Sequence, residues 1–258
     1  MLQRVTMLCL TFLMLSVFTH GVSWDNWRGP NFNGTTSGTH LPKTFSRTEN
    51  IKWQLPMIGV GSATPIIIND SIFLTSTEQG SENLYGLCID RKTGKEKWRK
   101  QIASGKVFRG GTCLANSSPA TDGKYVVFLF STGDIACYDY SGKKIWHRAL
   151  EKEYGAFAFL WPFNTSPVIY DGKCYVPVLQ RDEPAGGRGS GEMKSYLLCM
   201  ALDTGKTIFK SNRPCNAKLE SREAYTTIIP YQTKGGLQLL LAGGDRLTSH
   251  DPKSGETI

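Results

Sequence analysis

Short apolar runs with a period of two recur along this chain from residue 64 onward, each bounded by Gly, Asp or Asn, and no segment carries the spacing of an amphipathic helix. The pattern predicts strands over residues 64–69, 72–76, 84–90 and 95–102, then 118–121, 125–130, 134–139 and 144–150, then 166–170, 174–179, 196–203 and 207–211. A fourth set opens with 226–232 and 237–242. Asn69-Asp70, Asp122-Gly123 and Asp171-Gly172 are predicted tight turns, because these residue types tolerate the backbone that short hairpins require. Residues 24–50 are rich in Gly, Asn, Thr and Pro and show neither period; they are expected to form an extended arm.

One unit comes round four times, as LYGLCIDRKTGKEKW at 84–98, IACYDYSGKKIW at 135–146, LLCMALDTGKTIF at 197–209 and LTSHDPKSGETI at 247–258. A strand ends near an aspartate (Asp90, Asp139, Asp203, Asp251) and a turn glycine follows (Gly94, Gly142, Gly205, Gly255). The aromatic comes four residues after the glycine, at Trp98, Trp146 and Phe209; the same rule calls for an aromatic at position 259, so the sequence is expected to end inside a repeat. The aspartate can accept hydrogen bonds from turn amides, glycine supplies the turn conformation, and the aromatic can cover the next sheet. Four strands per unit, with 54, 48 and 63 residues separating Pro65, Pro119, Pro167 and Pro230, match the pattern of propeller blades. The expected fold is all-β, a β-propeller of four-stranded antiparallel blades, present as a partial ring of about three and a half blades over residues 51–258. Residues 51–56, with Trp53 in the aromatic place, read as the outer strand of the closing blade. Such an arc has open blade edges, which predicts self-association.

Residues 1–23 carry Arg4, an apolar run over 5–18 and small residues before Trp24, the pattern of a signal peptide. The protein is therefore expected to be exported, periplasmic or extracellular, and no other stretch is long and apolar enough to span a membrane. The net charge of +8 invites a nucleic-acid partner, but Lys95, Lys143, Lys144, Lys206 and Lys253 sit in or beside repeat turns instead of forming a stripe, which argues against one. Cys88 and Cys137 stand two residues before the motif aspartate, where the third unit has Ala201 and the fourth Ser249, so the place suits a small buried side chain. Exported chains allow disulfides, and a bridge among Cys113, Cys174 and Cys215 stays open. No cysteine or histidine pair has zinc-ligand spacing.

In a four-stranded meander, the connections between strands one and two and between three and four lie at one end, and these are short throughout. The opposite end takes the long segments 103–117, 151–164, 181–194 and 212–224, so it is the expected binding face. It carries Arg109, an alternating aromatic run through Phe157, Phe159, Trp161 and Phe163, then Asn164, the pair Arg181-Asp182, and Glu220, Arg222 and Glu223. Aromatics beside arginine and carboxylate could stack and orient a planar or sugar-like ligand; alternatively the aromatics plug the ring and the charges pair with one another. The run GGRGSG at 186–191 follows no strand directly and precedes no helical pattern, so it reads as a flexible insertion and not as a phosphate loop.

The units TGKEKW, SGKKIW and TGKTIF resemble the tryptophan-docking repeat of pyrroloquinoline-quinone-type β-propellers, the family of quinoprotein alcohol dehydrogenases and of the outer-membrane assembly propeller. WDNWRGPNFNG, SREAYTTIIP and AGGDRLTSHDPKSG resemble exported bacterial members. The resemblance implies one of two functions. The first is a non-catalytic binding or scaffold propeller, without a cofactor, whose long-loop face takes a protein, peptide or glycan. The alternative is an oxidoreductase holding pyrroloquinoline quinone and calcium, but no catalytic residue or ligand set of that class can be placed on this sequence, which also lacks the vicinal cysteine pair.

Overall fold

The computed structural model describes residues 23–38, 41–106 and 113–258; the leader through residue 22, and Arg109, lie outside the described residues. The first blade comprises β1 (Gly59–Val60), β2 (Ile66–Ile68), β3 (Ser71–Glu78), β4 (Asn83–Asp90) and β5 (Glu96–Ser104). The second runs through β6 (Ala120–Thr121), β7 (Tyr125–Leu129), β8 (Asp134–Asp139) and β9 (Lys144–Ala149). The third is β10 (Val168–Tyr170), β11 (Lys173–Val178), β12 (Tyr196–Ala201) and β13 (Thr207–Asn212). The fourth holds β14 (Ile229–Thr233), β15 (Gly236–Gly243) and β16 (Arg246–His250), with Thr257 bridged to His250. These antiparallel meanders are the blades of the expected β-propeller, and among the described residues no strand pairing closes a ring.

Apolar side chains are buried chiefly between sheets. One cluster joins the first and second blades through Phe73, Leu84, Phe128 and Tyr138; another joins the second and third through Val127, Ile135, Trp146, Val176 and Leu198; a further one joins the third and fourth under Tyr175, Leu197, Ile228 and Leu239. A single blade would leave these faces in water, so each is stable only against its neighbour.

The repeated aromatic forms a stitch between blades. Trp98 Nε1 donates to Tyr140 O at 3.0 Å, Trp146 Nε1 to Leu202 O at 2.7 Å, and Trp53 Nε1 to Arg91 O at 2.9 Å. Each ring lies against the turn glycine of the next unit. At Gly205, with φ +69°, a Cβ would come within 2.7 Å of Trp146, and at Gly94, with φ +72°, within 2.4 Å of Trp53. Phe209 covers Gly255 in the same way and has no N–H to donate. Residues 51–56 form no strand, yet Trp53 takes the docking place on the first blade.

The turn geometry corrects the reading of the third unit. Asp90, Asp139 and Asp251 each accept two turn amides through Oδ1, and their backbone carbonyls accept the glycine N–H. In the third turn it is Ala201 O that accepts Gly205 N–H at 2.8 Å, and Ala201 N that donates to Lys206 O, so Ala201 takes the aspartate's place and Asp203 stands two residues beyond it. The small residue two positions earlier is therefore Cys199. Cys88, Cys137 and Cys199 are the cross-strand partners of Trp98, Trp146 and Phe209, where a compact apolar side chain lets the ring lie flat. Hydrogen bonds hold the three carboxyls below the ordinary aspartate range, chiefly from the Thr93 amide for Asp90, the Ser141 hydroxyl for Asp139 and the Ser254 amide for Asp251. All six described cysteines are free, so Cys113, Cys174 and Cys215 form no bridge.

Among the described residues, two short helices interrupt the expected all-strand pattern. The α1 turn (Leu150–Tyr154) starts where β9 was expected to end, because Leu150 is buried and its N–H is drawn to Gly133 O at 3.0 Å. A 3₁₀ turn spans Leu219–Arg222.

His250, fully buried, donates through Nδ1 to Gly255 O at 2.9 Å, and its Nε2 lies 2.8 Å from the Thr248 hydroxyl. Burial outweighs the carbonyl contact and pushes its pKa below the ordinary imidazole value. Below that value the unfolded chain binds a proton that the native fold does not, so stability should be full at neutral pH and fall on acidification. Melting temperature followed from pH 7.5 to 5 should drop more steeply for the native chain than for His250→Asn; parallel curves would remove His250 from the account.

Candidate functional site

Three inter-blade hydrogen bonds set the register of the long-loop face. Thr64 N–H donates to Ser118 Oγ at 2.9 Å, Ser118 N–H to Ser166 Oγ at 3.0 Å, and Ser166 N–H to Thr227 Oγ1 at 3.3 Å. The equivalent residues are thus Thr64, Ser118, Ser166 and Thr227, and the place of Pro65, Pro119 and Pro167 belongs in the fourth blade to Ile228, not Pro230. Each backbone amide facing the neighbouring blade is satisfied by a short hydroxyl side chain, as buried donors require.

Two residues before these hydroxyl positions stand Ser62, Asn116, Asn164 and Tyr225, one from each blade. With Cys113, Trp161 and Pro162 they line a cavity of about 490 Å³ on the long-loop face. Cys113 Sγ donates to Asn116 Oδ1 at 2.8 Å, and Asn116 Nδ2 returns to Cys113 O at 2.6 Å, which locks that corner. Trp161 and Asn164 were singled out from sequence and meet here, with the Trp161 side chain 38% exposed. Phe157, Phe159 and Phe163 instead point inward and pack on one another, with centroids 4.8 to 6.1 Å apart. The alternating run is thus a buried plug with one aromatic left at the surface.

Glu223 is the keystone of the rim. Its buried carboxylate pairs with Arg181, accepts Leu160 N–H at 3.0 Å and accepts the Tyr225 hydroxyl at 2.5 Å, while Tyr225 Oη accepts Trp161 N–H at 3.2 Å. Burial, with Glu223 second, raises the Tyr225 pKa. Three loops are thereby held in one arrangement, which places Trp161 and Tyr225 beside the cavity. Arg222 pairs with Asp182 at 3.2 Å beside a second depression lined also by Glu183 and Lys218, and Glu220 is exposed on the 3₁₀ turn. The residues 181, 182, 222 and 223 therefore pair among themselves.

The glycine-rich segment is tied down. Ala185 and Arg188 exchange backbone bonds at 2.8 and 2.9 Å, Ser190 N–H donates to Ala156 O at 3.1 Å, and Arg188 pairs with Glu151. The expected flexible insertion is a braced loop because glycines on both sides of the contact admit close packing: a Cβ at Gly189 would lie 3.1 Å from the Ala158 Cβ, and one at Gly155, in the segment it packs against, 2.2 Å from Ser190 O.

The sequence pattern marks Cys113 only as a bridge candidate and does not mark Ser62, Asn116 or Tyr225 as ligand-binding residues. The signal was the recurrence Ser62-x-Thr64-Pro65, Asn116-x-Ser118-Pro119 and Asn164-x-Ser166-Pro167; it was hidden in the fourth blade, where Ile228 replaces the proline.

The quinone and calcium of the alternative function would need a site of suitable charge and ligand number. Calcium takes about six to eight oxygen ligands, usually with carboxylates among them. The cavity's described lining offers neutral groups only, and among the described residues no cluster of three or more His, Cys, Asp or Glu could hold a metal. These residues do not fit that group. Among the described residues no helix is long and apolar enough to cross a membrane.

Repeated four-stranded blades, stitched by a docked aromatic over a turn glycine, define the class of pyrroloquinoline-quinone-repeat β-propellers. A family model described as outer membrane protein assembly factor BamB matches residues 43–206, and the chain belongs to that family. Among solved structures it is similar to quinohemoprotein alcohol dehydrogenases from Comamonas testosteroni (13% identity, TM-score 0.55, covering 78% of this chain and 34% of that one) and Pseudomonas putida HK5 (14%, 0.52, 80% and 34%). BamB from Moraxella catarrhalis is 16% identical with TM-score 0.49, covering 82% of this chain and 55% of its own. The chain therefore spans about a third to about half the length of these structures. No curated protein sequence matches it.

Proposed function

We propose that this chain is an exported, non-catalytic propeller whose long-loop face binds a protein, peptide or glycan partner. The observation that carries the reading is the rim held by Glu223, which presents Trp161 beside a neutral cavity built from equivalent positions of four blades. A preorganised aromatic with polar neighbours suits recognition, and the nearby charges are engaged with one another, not aimed at a reacting atom. BamB is described as an outer membrane protein assembly factor, and membership of its family favours a binding role over chemistry. Export is read from the leader, and the mature chain isolated from the cell envelope should begin at Trp24.

A panel of defined peptides and oligosaccharides titrated against Trp161→Ala and Asn164→Ala tests the reading. A ligand of the native chain should bind these variants about ten to a hundred times more weakly at unchanged melting temperature, as truncation of an interface anchor does. Ligands indifferent to both substitutions would remove the face from the account. Alcohol oxidation dependent on added pyrroloquinoline quinone and calcium would replace binding with catalysis.

A further inference from the structure

The arm is seated on the axial edge of three blades. Trp24 N–H donates to Ile67 O at 2.7 Å and Ile67 N–H to Trp24 O at 2.8 Å, a full antiparallel bridge. The next carbonyl, Asp25 O, accepts Thr121 N–H at 2.9 Å, and the next side chain, through Asn26 Oδ1, accepts Ile169 N–H at 3.4 Å. Three consecutive residues thus meet β2, β6 and β10 in turn. Ile67, Thr121 and Ile169 each lie three residues beyond the hydroxyl position of their blade, about 10 Å along the strand at about 3.3 Å per residue. The corresponding residue of the fourth blade is Pro230, which has no N–H to offer. The seat ends where the donor ends.

Ile66 and Ile68 flank Ile67 in the β2 ladder with β3, so the polar groups of Ile67 face away from their own sheet. Uncovered, such an edge is a template for another strand. Asn26 is buried, and its carbonyl accepts Gly29 N–H at 2.9 Å in a turn that places Gly29, at φ +75°, against the Trp24 ring, where a Cβ would come within 2.8 Å. Phe32 then packs on the cluster under the third and fourth blades.

We propose that the axial edges of β2, β6 and β10 form a peptide-binding seat for an extended segment, filled in cis by Trp24-Asp25-Asn26 as a displaceable strap that holds three blades in register. It is a different surface from the long-loop face and does not depend on the binding proposed there. Recognition is mainly through the backbone, with the third place specific for a side-chain acceptor. Asn26 Nδ2 also donates to Asp25 Oδ1 at 3.2 Å, so an aspartate at 26 would face a like charge.

The test uses the chain lacking residues 24–29 and a labelled, N-acetylated peptide of residues 24–32, followed by fluorescence anisotropy. The shortened chain should bind the peptide one to one and gain melting temperature. The intact chain should bind it at least about tenfold more weakly, and the peptide with Asn26→Asp should also bind more weakly. Equal binding to both chains, or none to a folded shortened chain, overturns the proposal. Should that chain fail to fold, hydrogen exchange of the intact chain decides. The Ile67 and Thr121 amides should open together, and faster than those of Val127 and Leu198 inside ladders. Exchange at free-peptide rates, or only with the ladders, overturns the strap.

Discussion

Replacing Trp146 by alanine is expected to cost about 3–5 kcal/mol, a large share of the total stability of about 5–15 kcal/mol usual for a domain. The side chain is only 8% exposed and belongs to the cluster between the second and third blades, so truncation leaves a cavity that two rigid sheets close poorly. It also removes the donor to Leu202 O, leaving a carbonyl inside that interface without its partner. Blades depend on their neighbours, so the loss should appear both as a lower urea midpoint and as a shallower transition in which the two halves separate. Gly205→Ala attacks the same contact from the other side, since the new methyl meets the ring and φ +69° strains any side chain. Trp53→Ala, at the half-buried first docking place, should cost less, about 1–2 kcal/mol. Equal losses at Trp146 and Trp53 would show that the stitch is not what joins the blades.

Glu223→Ala is the second large effect, expected at about 3–5 kcal/mol, because it strands the Arg181 guanidinium, itself mostly buried, without a counter-charge. The Leu160 amide and Tyr225 hydroxyl lose their acceptor together. Glu223→Gln keeps an acceptor and the shape but not the charge, so it should cost about half as much. The combined Arg181→Leu, Glu223→Leu chain should recover much of the loss, as replacement of buried pairs by apolar groups can. Thermal melts of the three variants decide the matter. If the alanine variant melts with the native chain, the rim is not held by this carboxylate, and the positioning of Trp161 needs another cause.

The blades were legible because burial against neighbours imposes a period of two and the docking turn imposes a glycine four residues before an aromatic. Both constraints are local, and each recurs. Asp203 shows the limit of such reading: the sequence offers an aspartate before Gly205, but only the backbone bonds of Ala201 reveal that alanine holds the aspartate's place and that the third turn takes no carboxylate there. Pro230 shows the same for the fourth blade, where a proline in plausible spacing stands two residues past Ile228, the true equivalent of Pro65, Pro119 and Pro167. The loop aromatics were visible as a group, but which of the four stays at the surface depends on where the neighbouring blade lies.

By itself the sequence determined the all-β class, the blade repeat, the docking positions of Trp53, Trp98, Trp146 and Phe209, and the end of the molecule that carries the long loops, because these follow from spacing along one strand pair. Tertiary structure alone decided the pairing of Arg181 with Glu223 and Arg222 with Asp182, the convergence of Ser62, Asn116, Asn164 and Tyr225, and the seating of Trp24, Asp25 and Asn26 on three successive blades. These contacts join residues from about 40 to more than 140 positions apart, and no local pattern encodes which distant strand edge or loop an amide, a carboxylate or an indole will meet once the sheets have stacked.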